Sequence, residues 1–359
     1  MELALAEARK ARFWASPNPH VGCVIVADNE VLGRGFTQPV GGAHAEVMAL
    51  SQCPSSQGAT AYVTLEPCAH QGHTGPCVEA LISAGVSRVV GALKDPNPSV
   101  SGKGYERLAA AGIVVTQGVC TEAATAELTG FLLRMTRGWG RVRLKLACSL
   151  DGRTAMASGE SQWITGALAR QDVQRQRAAS SVIITGIGTV LADDCSLTVR
   201  SDALGFKGDE LSRATHRPPT RVVLDSNGRT PQGARILSTS APTWVITSPE
   251  AQPVAGAVHK TAKVTGAGLD LTAILKTLGS EGANEILIES GSLLAAAFLK
   301  AGLVDELLIY QAPLLLGSSA RPLAELTFSE LKEGIQLAYQ DISTLGSDLR
   351  IIATVLKED

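Results

Sequence analysis

The sequence predicts two α/β domains in succession, and three observations carry that expectation. The chain has 359 residues, enough for about two domains with separate cores. Short runs rich in Val, Ile and Leu alternate with helix-patterned segments, the mark of sheets covered by helices. A Gly138-Trp139-Gly140 break interrupts that alternation and divides the chain into residues 1–140 and 141–359.

The elements follow in order. Residues 1 to 14 place Leu3, Ala6 and Lys10 at roughly helical spacing, and Ser16-Pro17-Asn18-Pro19 stops that helix. Residues 21–26 are a continuous apolar run suited to a buried strand, with 30–35 as its hairpin partner. Residues 44–50 read as a helix, which puts His44 and Glu46 near its start. Residues 59–65 form a second buried strand; Cys68 follows it closely, and Cys77 opens a helix to residue 84. Strand 86–93, helix 104–111, strand 113–116 and helix 121–137 lead to the break. Beyond it we expect strand 142–147, helix 169–179, strand 181–185, strands 221–225 and 243–247, strand 285–289, a helix opened by Ser290-Gly291-Ser292, and strand 304–310. Residues 201–219, polar with Gly and Pro, read as a surface loop. No internal repeat is present.

Composition narrows the function. Apolar residues make up 45%, charged residues 18% and aromatics 4%, an ordinary packed profile. A net charge of −2 offers no basic groove for nucleic acid and no patch for an anionic membrane. No apolar run reaches the ~20 residues that span a bilayer, and the opening MELALAEARK has no basic-then-apolar leader, so a cytoplasmic location is expected. Seven scattered cysteines argue against a disulfide framework. Most are expected to act as small buried hydrophobes, with Cys68 and Cys77 set apart.

Those two cysteines belong with His44-Ala45-Glu46. An imidazole and two thiolates hold zinc and leave a fourth position for water. A glutamate that does not bind the metal takes a proton from that water and passes it to a departing amine. A His-x-Glu alone, or two cysteines nine apart alone, says little. Their combination in the order strand, ligand, loop, ligand, helix fits a three-ligand site at strand ends. A closed structural site would want a fourth ligand, which His70 or His73 could supply. The cysteines are separated by eight residues rather than the two of the general deaminase signature, which marks a subgroup. In the Pro17-Asn18-Pro19 turn, Asn18 is placed to hydrogen-bond a sugar hydroxyl, besides the turn's plain role as a helix stop. His70 and His73 read equally as substrate contacts or as exposed loop residues.

The combined motifs resemble a known family. PNPHVGCVIV (17–26), HAEVMAL (44–50), VTLEPCAHQGHTGPC (63–77), DPNP (95–98) and SGKG (101–104) resemble the deaminase half of the bifunctional riboflavin-biosynthesis deaminase/reductases. KLACSLDGRTAMASGESQWIT (145–165), TGIGTVLADD (185–194) and LVDELLIYQAPLLLG (303–317) resemble its reductase half. The resemblance runs from about residue 1 to 320 and is weaker at 201–219, 230–280 and the last 40 residues. It implies a cytidine-deaminase-like three-layer domain followed by a dihydrofolate-reductase-like domain, in keeping with the lack of a G-x-G-x-x-G after any predicted strand.

The resemblance also implies a zinc-dependent deamination of a phosphoribosylaminopyrimidine, then an NADPH-dependent reduction of its ribose, in a homo-oligomer, dimer or tetramer. The zinc ligands would be His44, Cys68 and Cys77, with Glu46 catalytic. Ala147, Trp163, Thr189, Asp193, Ser226 and the run Gly291, Ser292, Leu293, Leu294, Ala295, Ala296 and Ala297 would line the NADPH site. Ser161, Arg177, Leu197, Arg200 and Glu289 would hold the substrate.

The residues themselves add to this. Gly291 opens a helix after a strand, which suits a phosphate, though many strand–helix turns look the same. Arg177 and Arg200 can bind phosphate as rigid forks. Lys145 lies inside an apolar strand, where a charge needs a partner or a ligand. Asp193 and Asp194 could simply be cap residues.

Some positions depart from the family pattern. Thr37 and Met48 stand where histidines are usual, His73 where a lysine or arginine is usual, and Gly75 where a proline is usual. Thr37 and His73 are expected in or near the deaminase pocket, where a neutral His73 would bind phosphate more weakly than lysine and would titrate near pH ~6.5. Two other readings are a nucleoside or RNA-base deaminase with a degenerate C-terminal domain, and a non-catalytic zinc-stapled scaffold. The first wants a basic or aromatic surface, which the composition does not offer.

Overall fold

The computed structural model describes residues 1–70, 75–97, 100–238, 241–266 and 268–356. They divide into two compact units. The first comprises Met1–Gly140 together with Gly208–Arg217 and Gly282–Asn284; the second comprises Arg141–Lys207, Pro218–Glu281 and Glu285–Asp359.

The first unit runs α1 (Glu2–Lys10), β1 (Gly22–Ala27), β2 (Glu30–Phe36), α2 (Ala45–Leu50), β3 (Thr60–Val63), α3 (Cys77–Ser83), β4 (Arg88–Gly91), α4 (Lys103–Ala110), β5 (Val114–Thr116) and α5 (Thr121–Arg137). Its five-stranded sheet has the order β2-β1-β3-β4-β5. β1 is antiparallel to both β2 and β3, and β3, β4 and β5 are parallel. The β1–β2 hairpin turns on Asp28 and Asn29, both at positive φ, residue types that tolerate that conformation. Cys23, Ile25, Ala61, Val63 and Val89 from the strands pack with Ala45, Leu81, Leu108 and Leu128 from the helices. α1 lies so close to β1 that a Cβ on Gly22 would stand 1.9 Å from the Ala4 carbonyl oxygen, so only glycine permits the contact.

The second unit adds β6 (Arg141–Ser149), β7 (Arg153–Ala155), α6 (Ala167–Ala178), β8 (Val182–Gly186) and α7 (Ile187–Asp193). After α8 (Gly208–Thr215), which clusters with the first unit, come β9 (Thr220–Leu224), β10 (Thr243–Thr247), β11 (Val258–Thr261), β12 (Val264–Thr265), β13 (Gly268–Leu269) and α9 (Leu271–Ser280). Then follow β14 (Glu285–Glu289), α10 (Ser292–Lys300), β15 (Glu306–Ala312), β16 (Arg321–Pro322), β17 (Leu337–Leu345) and β18 (Asp348–Val355). The nine-stranded sheet has the order β11-β10-β9-β8-β14-β6-β15-β18-β17. It is parallel from β11 to β15 and antiparallel where β18 and β17 are added. β14 is buried at all five positions, as a central parallel strand requires.

Two expectations need correction. Residues 201–219 are not a plain loop: they contain a 3-10 turn, Ser201–Ala203, and helix α8. α8 buries only Ala214 of its own residues, and Arg213 lies over the rings of Trp14 and Phe36 at 6.0 and 5.8 Å. Its partner is distant in sequence, so no local apolar stripe announced it. Of the five cysteines other than Cys68 and Cys77, only Cys23 and Cys148 are buried; Cys53 and Cys195 are half-buried, and Cys120 is exposed at positive φ just before α5. The C-terminus forms the β17–β18 hairpin, in which β17 alternates exposed and half-buried positions on either side of a register shift between Tyr339 and Asp341.

Candidate functional site

In the first unit, His44 immediately precedes α2 in an extended conformation, and Glu46 sits in that helix's first turn. Cys68 follows β3, and Cys77 is the first residue of α3. The fold brings three of these together. His44 Nδ1 lies 3.2 Å from Cys77 Sγ and 3.6 Å from Cys68 Sγ. The ligand atoms of His44, Cys68 and Cys77 all lie within 4.8 Å of one another, and this is the one such group among the described residues. One nitrogen and two sulfurs at this spacing fit a zinc ion held by three side chains with a position to spare.

The three donors hydrogen-bond to one another, and each shifts the titration of the others. Hydrogen bonds from Cys77 and His44 hold the Cys68 thiol well below its ordinary range against the cost of burial. Donating to Cys68, together with burial, raises Cys77. The bond to Cys68 likewise raises His44. Glu46 is 3% exposed. Burial first, and the Cys68 thiolate second, push its carboxyl up to about 7. Cys23, fully buried on β1, has its thiol raised by burial and by Glu46 beside it.

Other candidates fall around this centre. Asn18 is half-buried in the turn between α1 and β1, its N–H donating to the Ala15 carbonyl at 2.9 Å. His70 is exposed and outside the three-residue group. His73 lies outside the described residues. Thr37 is 3% exposed, and its hydroxyl donates to the Pro19 carbonyl and accepts from the Val21 N–H, both at 3.0 Å. A short side chain there braces the turn.

Sequence reasoning missed Glu66. Its buried carboxylate accepts backbone N–H groups of Asp95 (3.1 Å), Gly102 and Gly104 (both 2.9 Å). It thereby ties the loop that carries Cys68 to the start of α4. The signal was a lone acid between an apolar strand and Pro67-Cys68.

In the second unit, the candidates gather at the C-terminal ends of four neighbouring parallel strands, where α/β proteins place ligands. Ser226 follows β9, Thr189 and Asp193 lie on the helix after β8, Glu289 ends β14 and precedes Gly291, and Lys145 and Ala147 lie in the later part of β6. The Gly291 N–H donates to Thr189 Oγ1 at 3.2 Å, and Ser292 Oγ donates to Glu325 at 3.0 Å. Trp163 is 67% exposed with Arg170 4.6 Å over its ring. Ser161 is half-buried and Arg200 exposed. Leu293 is exposed, Leu294 and Ala297 are partly so, and Ala295 and Ala296 are buried. Leu197 is buried in the core with Ile183 and Val223, on a backbone at positive φ. The buried residues of this set can offer a ligand little beyond backbone.

Glu289 is the centre of this group. It is 7% exposed, and Arg177 grips both of its oxygens at 2.6 and 2.9 Å. Lys145 stands beside it in the β14–β6 register, 3.8 Å away, which supplies the partner a charge inside a strand demands. Burial alone would raise the Glu289 carboxyl, but Arg177 outweighs it and holds the group below its ordinary range. Burial lowers Lys145 despite Glu289.

The chain's two parts match two family models: the cytidine and deoxycytidylate deaminase zinc-binding region over residues 1–93, and the RibD C-terminal domain over residues 141–351. It is 46% identical over 358 residues to the riboflavin biosynthesis protein RibD of Escherichia coli, covering 97% of this chain and 96% of that one. The chain belongs to the RibD family. RibD of Haemophilus influenzae is 42% identical, covering 99% of this chain and 96% of that one. Among solved structures, Acinetobacter baumannii RibD superposes with a TM-score of 0.91 at 45% identity, covering 99% of this chain and 98% of that one. A Thermotoga maritima diaminohydroxyphosphoribosylaminopyrimidine deaminase/5-amino-6-(5-phosphoribosylamino)uracil reductase gives 0.87 at 30% identity, covering 99% and 97%. The RibD pairing of a zinc-binding deaminase domain with a reductase domain implies zinc and a nicotinamide cofactor. The two-domain α/β expectation is met, and a lone base deaminase with a degenerate second half is not favoured. No helix among the described residues is long and apolar enough to cross a membrane.

In this RibD chain, Glu289→Ala would leave two cations buried without their counter-charge. The expected loss is about 3–5 kcal/mol of second-unit stability, read from denaturant melts. The pH sign follows from the depressed carboxyl. Its contribution is complete above the ordinary glutamate value of 4.5 and drains as pH falls through the lower folded value. Wild-type melts should therefore weaken at acid pH by a component that Glu289→Ala lacks.

Proposed function

We propose that this chain carries out two consecutive steps of riboflavin biosynthesis. Residues 1–140 hydrolyse the 2-amino group of 2,5-diamino-6-(5-phosphoribosylamino)pyrimidin-4(3H)-one and release ammonia. Residues 141–359 reduce the ribose of 5-amino-6-(5-phosphoribosylamino)uracil to a ribityl chain with NADPH. The observation that carries this reading is the near-full-length likeness to RibD proteins, which spans both domains in one chain.

In the first half, His44, Cys68 and Cys77 would hold zinc. Zinc bound there supplies a Lewis acid that makes a water nucleophilic near neutral pH. Glu46, buried beside the three donors, takes the proton of the attacking water and delivers it to the departing amine. Asn18, His70 and His73 contact the substrate.

In the second half, Ala147, Trp163, Thr189, Asp193, Ser226 and Gly291 to Ala297 hold NADPH. Lys145, Ser161, Arg177, Leu197, Arg200 and Glu289 hold the phosphorylated substrate. Two facts support that division. Lys145 and Arg177 set two cations against the one carboxylate of Glu289, an excess positive charge that suits a phosphate. The nine-residue helix α10 begins just after Gly291, and a helix N-terminus favours another anion. The enzyme works in the cytoplasm as a homo-oligomer, dimer or tetramer, a proposal that rests on the resemblance.

Metal analysis should find about one zinc per chain, the stoichiometry of one three-ligand site. The purified enzyme should oxidise NADPH only when the deaminated pyrimidine is present. NADPH oxidation by zinc-free protein supplied with the diamino substrate would contradict the order of steps.

A further inference from the structure

The turn that carries Asn18 is held by residues far away in the chain. Asn284, 6% exposed, accepts a hydrogen bond from Arg134 Nε at 2.6 Å through its side-chain oxygen. That contact fixes which way the amide faces. Its Nδ2 then donates to the carbonyls of Pro17 at 3.1 Å and Asn18 at 3.4 Å. Arg134 Nη2 reaches the same Pro17 carbonyl at 2.8 Å, and Arg217 donates to the Ser16 carbonyl at 3.2 Å. Three successive carbonyls of the turn are thus gripped by side chains. The fit is close on the other side too. Ser16 Oγ donates to the Gly282 carbonyl at 3.3 Å, and a Cβ on Gly282, which is at positive φ, would stand 2.5 Å from Pro17 Cβ. Gly282–Asn284 clusters with the first unit although it directly precedes β14, the strand that ends in Glu289.

We propose that Asn284 is a positioning residue for deamination: by holding the Pro17 and Asn18 carbonyls it fixes the backbone from which Asn18 meets the substrate. This rests on the reading of Asn18 as a substrate contact. The deaminase site is therefore completed by a residue from the part of the chain beyond residue 141. Asn284 acts on binding, and the zinc donors and Glu46 stand on other elements.

The test is a double-mutant cycle in the full-length enzyme, with KM and kcat for ammonia release, zinc content, and NADPH turnover on supplied deaminated substrate. Asn284→Ala removes both hydrogen bonds to the turn and the acceptor for Arg134, and should raise the deamination KM about tenfold, with kcat, zinc content and NADPH turnover kept. Asn284→Asp keeps the shape and the acceptor for Arg134 but turns an oxygen toward the two carbonyls, and should raise KM at least as far. This variant answers the question should the alanine variant fold poorly. The double variant Asn18→Ala with Asn284→Ala should be no worse than Asn18→Ala alone, because coupled residues do not add. If Asn18→Ala raises KM while both Asn284 variants leave it unchanged, or if the effects multiply, the positioning role is overturned and the Asn18 reading stands. If Asn18→Ala itself leaves KM unchanged, the Asn18 reading falls and this inference with it.

Discussion

Glu46→Gln is expected to lower deamination by about 10²–10⁴-fold, the usual worth of a positioned acid–base group, while the protein keeps its zinc. Gln matches Glu in shape, so the packing of α2 against the strands survives. It cannot accept and return a proton. At 3% exposure, bulk water has little access to take over that duty. Retention of metal follows from the geometry, because the three converging donors are His44, Cys68 and Cys77 and do not include Glu46. Removing a carboxylate beside thiolates also relieves repulsion among like charges. Ammonia release and metal content on the same sample decide the matter. Normal deamination by the variant would remove Glu46 from its role.

Cys68→Ala is expected to abolish both zinc binding and ammonia release and to leave NADPH turnover on supplied deaminated substrate intact. One imidazole and one thiolate do not make a zinc site of this kind. The site stands among elements whose core is made of apolar side chains, Ile25, Val63, Leu81, Leu108 and Leu128 among others. The first unit should therefore stay folded, as a circular dichroism melt would report. A scaffold stapled by zinc would instead unfold when the donor is lost or a chelator is added.

Much of this was readable from the residues. Residues 21–26 and 59–65 are unbroken apolar runs, and β1 and β3 lie within or across them with nearly every position buried or half-buried. The helix over Thr121–Arg137 ends at Gly138, in the left-handed conformation that glycine readily adopts. His44, Cys68 and Cys77 were visible as a set because strand, ligand, loop and helix follow one another in sequence.

The rest depended on partners distant along the chain. α8 has its cation–aromatic partners in Trp14 and Phe36, about two hundred positions earlier. Glu66 reads as an ordinary acid until the N–H groups of Asp95, Gly102 and Gly104 converge on it, which joins the LEPC, DPNP and SGKG motifs physically. Thr37 stands out in the sequence for what it replaces, while its bonds to the backbone of the neighbouring turn appear only in the fold. Asn284 gave no signal, since an asparagine before an apolar strand is a common strand start.

The most direct test of the central claim is one time course. The purified enzyme is given 2,5-diamino-6-(5-phosphoribosylamino)pyrimidin-4(3H)-one with NADPH, and ammonia and NADPH are followed separately. The account predicts ammonia first, then NADPH oxidation after a lag, reaching one NADPH per ammonia. Ammonia release with no NADPH oxidation, or NADPH oxidation that precedes ammonia, would contradict it.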